Sequence, residues 1–522
     1  MPATAIPPTT ATDTSNKLTA LDGHSLTVED VARIARNREK IALDDAAVRR
    51  INRCRELLER KIESREIMYG VNTGIGELSE VVLTPEQAQK FQKFLLYSHA
   101  AGCGEPCREE DVRAAMLSRL NTHCWGHSGI RLEVVQTVIE MLNRGVTPVV
   151  CQKGSVGASG DLSPMAQIAL TLMGEGEVFF RGARLPAKQG MEQAGIPTIV
   201  FRERDGLAAI NGSNVITGMG CLEIFDALQL IRTQEIALAM TLEALNANMK
   251  AYDERIHSVR GYPGAQECAS NIRRLTAGSQ LFDRPGKKLQ DAYSLRSSPQ
   301  VIGAARDAAK WSRQMLEIEL NHAADNPVFF PDEELVLTGA NFQGTPMALA
   351  LELLGTSMTT IAALSERRLN RLMNPHLSMG LPAYLTKGAG MFSGLMLTQY
   401  TAGALVAENR VLSHPAATGS IPAAADQEDF VSMGMTTAIK TRQIIENCWY
   451  VTAIELMAAA QAFDMLAPKK PSTASHAAYE VIRKYVDQLA EDRPLHSDIN
   501  LLAGVARNGE VLNAVERIVG SL

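Results

Sequence analysis

Aromatic residues are scarce in this chain of 522 residues, at 5% of the total, and neither sign of charge is in marked excess. The 52 lysines and arginines against 58 aspartates and glutamates leave a net charge of −6. The chain therefore lacks the basic field of a dedicated nucleic-acid binder or of a protein held on an anionic membrane. No apolar run approaches the roughly 18 uninterrupted residues that predict a membrane span.

Cysteine is sparse as well. The eight cysteines are scattered along the whole chain, a pattern that favours free thiols in a reducing cytoplasm over a disulfide scaffold. Residues 1–17 are rich in proline, threonine and alanine, without the basic and apolar regions of a secretory signal. We expect a cytoplasmic protein with a disordered arm over 1–17.

Helical periodicity dominates the second half of the chain, where apolar residues recur at three- and four-residue steps. The predicted long helices cover 213–248, 301–325, 344–373, 392–413 and 428–466. Several end before an X-Pro pair, and they are apolar on more than one face, as in a bundle core completed by other subunits. Short β-rich stretches at 177–181 and 198–202 predict small ribbons only. The predicted fold is mostly α, with a long-helix bundle core.

The sequence changes character near residue 205. Before that point, turn-rich polar stretches lie between helical segments, and after it long helices follow one another. We predict a mixed, loop-rich N-terminal domain over 18–205, a long-helix core over 206–470 and a smaller helical tail over 471–522.

The most informative segment is KGSVGASGDLSP at 153–164. It lacks the Gly-Lys-[Ser/Thr] of a phosphate-binding loop, the GxGxxG of a dinucleotide site and the GxSxG of a nucleophile elbow. One interpretation is an ordinary loop that caps a proline-started helix. A second is chemical: the Gly160 amide nitrogen attacks the Ala158 carbonyl, and loss of water, including the Ser159 hydroxyl, leaves a ring with an exocyclic methylidene. Glycine permits the tight bend that this cyclisation needs.

With this segment and the motifs that follow it, the chain resembles the histidine, phenylalanine and tyrosine ammonia-lyases and the related aminomutases. The resemblance spans about 28–467 in the family's order, and its motifs are GSVGASGDLSPMAQIAL, YGVNTGIG, YSHAAG, LAAING, QDAYSLRSSPQVIG, ELNHAADNP, ANFQGTP and ADQEDFVSM. It implies the ammonia-lyase/fumarase-like bundle, a homotetramer, and a carbon–nitrogen lyase acting on an aromatic L-amino acid. It also implies a 4-methylidene-imidazol-5-one (MIO) group formed from Ala158, Ser159 and Gly160, with no external cofactor and no metal.

The resemblance assigns catalytic roles to two tyrosines. Tyr69, in a glycine-rich segment, is implied to be the general base on a mobile lid, with its phenol acidified by the site. Tyr293 is placed with Asn211 and Gln290 around the electrophile and the substrate amine. Without the resemblance, each would be an ordinary half-buried or hydrogen-bonded residue.

Three further residues bind the substrate in this interpretation. Arg296 binds the carboxylate, for which the guanidinium fork is better suited than lysine. Asn326 faces the site and Phe342 packs over the prosthetic ring. The alternatives are an exposed arginine, a helix cap and a core aromatic residue.

His99 and Glu428 indicate the substrate. A carboxylate and an imidazole suit a polar, titratable side chain, whereas a phenyl ring would leave the carboxylate unpaired at a cost of roughly a few kcal/mol. L-Histidine, converted to trans-urocanate, is therefore the favoured substrate. Ile75, Asp426 and Phe430 depart from the histidine-enzyme pattern, and NFQGTP resembles the phenylalanine enzymes. The alternative is an L-tyrosine or L-phenylalanine ammonia-lyase or 2,3-aminomutase with the same cofactor.

Two other classes of protein compete with the enzyme interpretation. The spacing of histidines and cysteines over 99–127 permits a metal cluster, although CxxC and HExxH pairs are missing. A non-enzymatic helical scaffold would explain the long helices but none of the loop motifs.

Overall fold

A computed structural model describes residues 18–522. The predicted arm over 1–17 lies outside the described residues. The strands are short: β1 (Leu18–Leu21), β2 (Lys40–Leu43), β3 (Cys103–Pro106), β4 (Thr147–Pro148), β5 (Cys151–Lys153), β6 (Glu177–Phe180), β7 (Ala183–Pro186), β8 (Val328–Phe330) and β9 (Leu335–Leu337). β1 pairs with β2 in parallel, whereas β3–β5, β4–β6–β7 and β8–β9 are antiparallel.

Nineteen α-helices are described within residues 18–522. Those before residue 211 are α1 (Val28–Asn37), α2 (Asp45–Glu63), α3 (Pro85–His99), α4 (Glu109–His123), α5 (Leu132–Arg144), α6 (Leu162–Leu172), α7 (Ala187–Ala194) and α8 (Asp205–Ile210). The later ones are α9 (Asn214–Ala244), α10 (Glu254–Ser258), α11 (Pro263–Leu275), α12 (Tyr293–Arg296), α13 (Ser298–Leu320), α14 (Thr345–Met373), α15 (Met396–Leu412), α16 (Gly434–Leu466), α17 (Thr473–Tyr485), α18 (His496–Arg507) and α19 (Glu510–Val519).

Local sequence sets several helix starts. Thr84 caps α3 through a capping box with Gln87, and Pro85 occupies the first turn, where its missing N–H costs nothing. Thr27 and Asp30 form the same box at α1. These caps satisfy backbone N–H groups that a helix start would otherwise leave without partners.

The core is a bundle of the long helices α9, α13, α14 and α16, with α4 packed on α9. Helix α9 is buried on nearly every face, so its apolar residues need no single stripe. By length and composition, α9 and α14 could each cross a membrane, but the apolar stretches in question are 83% and 61% buried inside the protein. Both are therefore packing elements of the bundle. The mostly-α prediction is confirmed.

One predicted strand and one predicted helix start are wrong. The stretch 198–202 forms no strand, although 177–181 does contribute β6; Ile199 N–H instead donates to the Leu172 carbonyl at the end of α6. The last predicted long helix begins at Gly434 rather than 428, because Met433, directly before Gly434, has a left-handed φ of +53° that a continuous α-helix does not allow. The divisions at 205 and 470 stay predictions.

Candidate active site

The Ala158-Ser159-Gly160 segment forms a sharp bend between β5 and α6. Ser159 has φ +52° and Gly160 has φ +83°, so two consecutive residues are left-handed. This conformation is costly for a residue with a side chain and is found mainly where surrounding structure enforces it. The backbone of the predicted cyclisation segment is thus held in a strained turn.

The glycines of this segment are required by close contacts. A Cβ on Gly160 would lie 2.3 Å from the carbonyl carbon of Gly212, and one on Gly157 would lie 2.1 Å from Ser432 Oγ. The backbone N–H of Asp161 donates to the Gly212 carbonyl at 2.9 Å. The bend is therefore enclosed by the Asn211–Gly212 segment on one side and by Ser432 on the other, which leaves no room for a side chain at positions 157 and 160.

Asp161 anchors the start of α6 behind the bend. Its buried carboxylate accepts hydrogen bonds from Ile216 N at 2.9 Å and from Ser155 Oγ at 3.2 Å. Burial raises the pKa of this carboxyl to about 6, with the hydrogen bonds opposing the shift.

Glu428 joins three of the predicted site residues. Its Oε1 accepts a hydrogen bond from Ser159 Oγ at 2.8 Å, across 269 residues of chain. Its charge also acts on the Tyr69 phenol and the His99 imidazole. The structure therefore brings Tyr69, His99, Ser159 and Glu428 into one site.

His99 presents a neutral imidazole. Burial lowers its pKa, and the Leu95 carbonyl and Glu428 only partly oppose this effect. Its Nδ1 lies 2.8 Å from the Leu95 carbonyl oxygen, which can only accept, so the ring proton belongs on Nδ1. The Nε2 lone pair is then free to accept a hydrogen bond.

The prediction that the Tyr69 phenol is acidified is wrong for the single chain. Burial raises the pKa of Tyr69, and the negative charge of Glu428 raises it further. The backbone N–H of Gly76, which donates to the phenol oxygen at 3.0 Å, and the Arg204 guanidinium act in the opposite direction but do not outweigh burial.

Asn211 and Asn326 lie together beneath the bend. The Asn211 side-chain amide donates to the Asn326 carbonyl at 2.6 Å, and Asn326 Oδ1 accepts from Gly339 N at 2.8 Å. Both are held by Asp325, which sequence reasoning missed. Its position inside the ADNP motif could have identified Asp325 as a candidate from the sequence.

Phe342 lies close to the same region. Its carbonyl accepts a hydrogen bond from Ser213 Oγ at 2.5 Å, and its side chain is half-buried. Ser213 follows Gly212 directly, so Phe342 belongs to the structure that surrounds the bend.

Gln290, Tyr293 and Arg296 form a separate cluster around α12. The Arg296 guanidinium lies 4.6 Å from the centre of the Tyr293 ring and donates from Nε to the Asp291 carbonyl at 2.8 Å. With its amide oxygen facing Arg296, Gln290 accepts from Nη2 at 2.8 Å. Tyr293 is 71% exposed. Across residues 18–522, no hydrogen bond, ion pair or ring contact joins this cluster to Ser159 or Glu428.

The histidines and cysteines of 99–127 do not converge. Within the described part of the chain, no group of three or more His, Cys, Asp or Glu side chains is arranged to hold a metal ion. Cys107 and Cys124 are buried, and burial raises the pKa of each thiol to about 12. All eight cysteines are free.

Comparison with known proteins places these features in a family. The family model described as aromatic amino acid lyase matches residues 26–484. A histidine ammonia-lyase of Alkaliphilus oremlandii is 45% identical over 500 residues, which cover 96% of this chain and 98% of that protein.

Solved structures agree on the fold. The tyrosine aminomutase from Streptomyces globisporus superposes with a TM-score of 0.92 at 36% identity, covering 97% of this chain and all of that one. The histidine ammonia-lyase from Trypanosoma cruzi gives 0.90 at 36% identity, covering 96% of each chain.

Proposed function

This chain belongs to the aromatic amino acid lyase family, and we propose that it eliminates ammonia from L-histidine to give trans-urocanate. The observation that carries the proposal is the position of the Glu428 carboxylate. It accepts from Ser159 Oγ before ring closure removes that hydroxyl, and its charge acts on the His99 imidazole and the Tyr69 phenol. The name of the Alkaliphilus oremlandii relative supports the same substrate.

The bend at 158–160 supports formation of the MIO group from the chain itself. The Gly160 nitrogen bonds to the Ala158 carbonyl carbon, and the carbonyl oxygen leaves as water with the amide hydrogens of Gly160 and Ser159. A second water takes the Ser159 hydroxyl and its Cα hydrogen, which leaves the exocyclic methylidene. No oxidant or external cofactor is needed. The left-handed Ser159 and the enclosed Gly160 fit this closure, and the finished group supplies an electrophile that ordinary side chains lack.

His99 and Glu428 hold the substrate imidazole in this proposal. The neutral His99 offers its Nε2 lone pair and Glu428 offers a charged oxygen. An imidazolium side chain, which has an N–H donor on each ring nitrogen, can donate to both acceptors. A phenyl ring would satisfy neither acceptor and would leave the carboxylate poorly solvated.

Tyr69 takes the β-proton. Burial and the charge of Glu428 raise the pKa of its phenol, so the deprotonated form is scarce at neutral pH but strongly basic once formed. This placement suits a weakly acidic carbon-bound hydrogen.

Arg296 holds the substrate carboxylate, with Gln290 and Tyr293 beside it. We assign Asn211 and Asn326 to the reacting amine and Phe342 to the ring formed at 158–160. Asn211 precedes Gly212 at the bend and donates to the Asn326 carbonyl, and the Phe342 carbonyl accepts from Ser213 Oγ. Because the Arg296 cluster has no contact with Ser159 within residues 18–522, we assign the two halves of one site to different subunits.

We propose a homotetramer on these grounds, and a cytoplasmic location because the eight cysteines are free thiols. Large apolar side chains are exposed along α14 and α15, among them Leu349 at 51%, Tyr400 at 61% and Val411 at 72%. Such surfaces are typical of subunit interfaces. Light scattering should report a tetramer, and an active monomer would contradict the shared site.

A second candidate keeps the same prosthetic group with L-tyrosine or L-phenylalanine as substrate, as a lyase or a 2,3-aminomutase. The observation in its favour is the close structural likeness to the tyrosine aminomutase, together with Phe430, which lies two residues from Glu428.

Two measurements test the proposal. Peptide mapping of the purified protein should find the 158–160 segment lighter by two waters, and Ser159→Ala should abolish both this loss and nearly all activity. Parallel ultraviolet assays should then show urocanate from histidine. Formation of coumarate, cinnamate or a β-amino acid, with no urocanate, would contradict the histidine proposal and support the second candidate.

A further inference from the structure

Asp325 is a buried carboxylate that four donors share. It accepts from Arg204 Nη2 at 2.6 Å, Arg119 Nη2 at 2.9 Å, Asn211 Nδ2 at 3.2 Å and Asn326 N at 2.8 Å. Its own exposure is 0%. Asp325 is therefore the only carboxylate in contact with this pair of guanidiniums among residues 18–522, and its removal would leave both charges uncompensated.

The two arginines that bind Asp325 also donate hydrogen bonds to main-chain carbonyls in several segments. Arg119, on α4, donates to the carbonyls of Asn211 at 3.0 Å and Ala324 at 2.9 Å. Arg204 donates to the carbonyls of Ser128 at 2.9 Å and Asn326 at 3.0 Å. Each guanidinium thus fixes main chain as well as the carboxylate, which a single ion pair would not do.

This hydrogen-bond network reaches the Asn211–Gly212 segment, which packs against the bend at 158–160. Asn211, which contacts Asp325, is followed by Gly212, whose carbonyl accepts from Asp161 N at 2.9 Å and whose backbone leaves no space for a Cβ on Gly160. No hydrogen bond runs from the Asp325 side chain to residues 158–160, so any effect on the bend passes through Asn211 and Gly212.

We propose that Asp325 is a positioning residue for the self-cyclisation of Ala158, Ser159 and Gly160. It holds the Asn211–Gly212 segment rigid, so that the Gly160 nitrogen stays bent toward the Ala158 carbonyl. The inference rests on the proposed function, because it requires that the ring forms. Ring closure depends steeply on the approach of the two atoms, and a displacement of about 1 Å can cost roughly a hundredfold in rate.

The test compares Asp325→Asn with Glu455→Gln. Glu455, in the bundle core, is also 0% exposed and also accepts from four donors: Arg368 Nε at 2.6 Å, Arg368 Nη2 at 2.7 Å, Thr241 Oγ1 at 2.9 Å and Ser365 Oγ. Both variants remove one buried negative charge, but only Asp325 is linked to the bend. The readout is the fraction of the 158–160 peptide that has lost two waters, in soluble, folded protein, alongside the melting temperature.

The fraction of cyclised peptide should fall by at least roughly tenfold in Asp325→Asn and stay at the wild-type level in Glu455→Gln. Full cyclisation in Asp325→Asn, or an equal loss in both variants, would show that Asp325 is only a stabilising residue. If Asp325→Asn is insoluble, Arg119→Lys decides by the same criterion, since it keeps the charge but loses the fork that holds Asn211. A wild-type protein with no loss of water would instead refute the proposed function.

Discussion

In the uncyclised chain the Glu428 carboxylate accepts a hydrogen bond from Ser159 Oγ at 2.8 Å, and its charge acts on His99. Because ring closure removes the Ser159 hydroxyl, Glu428 Oε1 then loses this partner and can accept from the substrate side chain instead. We expect Glu428→Gln to lower kcat/KM for histidine by roughly 10- to 150-fold, because a charge-assisted hydrogen bond contributes about 1.5–3 kcal/mol. Steady-state assays check this, with Asp429→Asn as the control, because Asp429 is exposed and adjacent. Equal kinetics in the two variants would remove Glu428 from the proposed site.

The raised pKa of Tyr69 predicts a pH profile. A base is active when deprotonated, so log(kcat/KM) should rise with a slope of about 1 as pH increases toward that pKa. Because Glu428 raises the Tyr69 pKa, Glu428→Gln should move this limb to lower pH, whereas Asp429→Asn should leave it in place. If the rising part of the pH profile does not move in Glu428→Gln, or is still present in Tyr69→Phe, the titrating group is not Tyr69.

At the scale of elements, the turn between β5 and α6 depends on its fit against the segment that precedes α16. Gly157→Ala should lower stability by about 1–3 kcal/mol, because its Cβ would lie 2.1 Å from Ser432 Oγ and its φ is +85°.

The double variant Gly157→Ala with Ser432→Ala separates the two causes. It removes the closest contact, since the next atoms of Ser432 lie at 3.2 Å, and should recover part of the melting temperature while the strain of positive φ remains. If the decreases in melting temperature of the two single variants simply add in the double variant, the Gly157 and Ser432 segments are not in steric contact.

At the scale of the whole molecule, the division of the site predicts complementation between subunits. Ser159→Ala and Arg296→Ala should each be inactive alone, yet co-expressed tetramers should regain activity at about a quarter of their sites if chains mix at random. Ser159→Ala mixed with Glu428→Ala is the matched control, since both residues lie in the same half. Verified mixed tetramers without any recovery would place Arg296 and Ser159 of one chain in the same site.

The sequence by itself determined the long helices, the mostly-α class and the identity of the candidate residues. Helical periodicity and proline stops act over one or two turns, so the start of α14 after Gly344 and its end at Met373 could be predicted locally. Motif residues such as Ser159 and Glu428 were recognisable because each lies in a short, characteristic segment.

Only the tertiary structure decided how those residues act on one another. The contact between Ser159 and Glu428 spans 269 residues, the high pKa of Tyr69 comes from burial, and Asp325 gains its role from two arginines distant in the chain. Residues 198–202 have β-like composition but form no strand. Desolvation, charge pairing and strand partners depend on which segments meet in space, and local sequence does not contain that information.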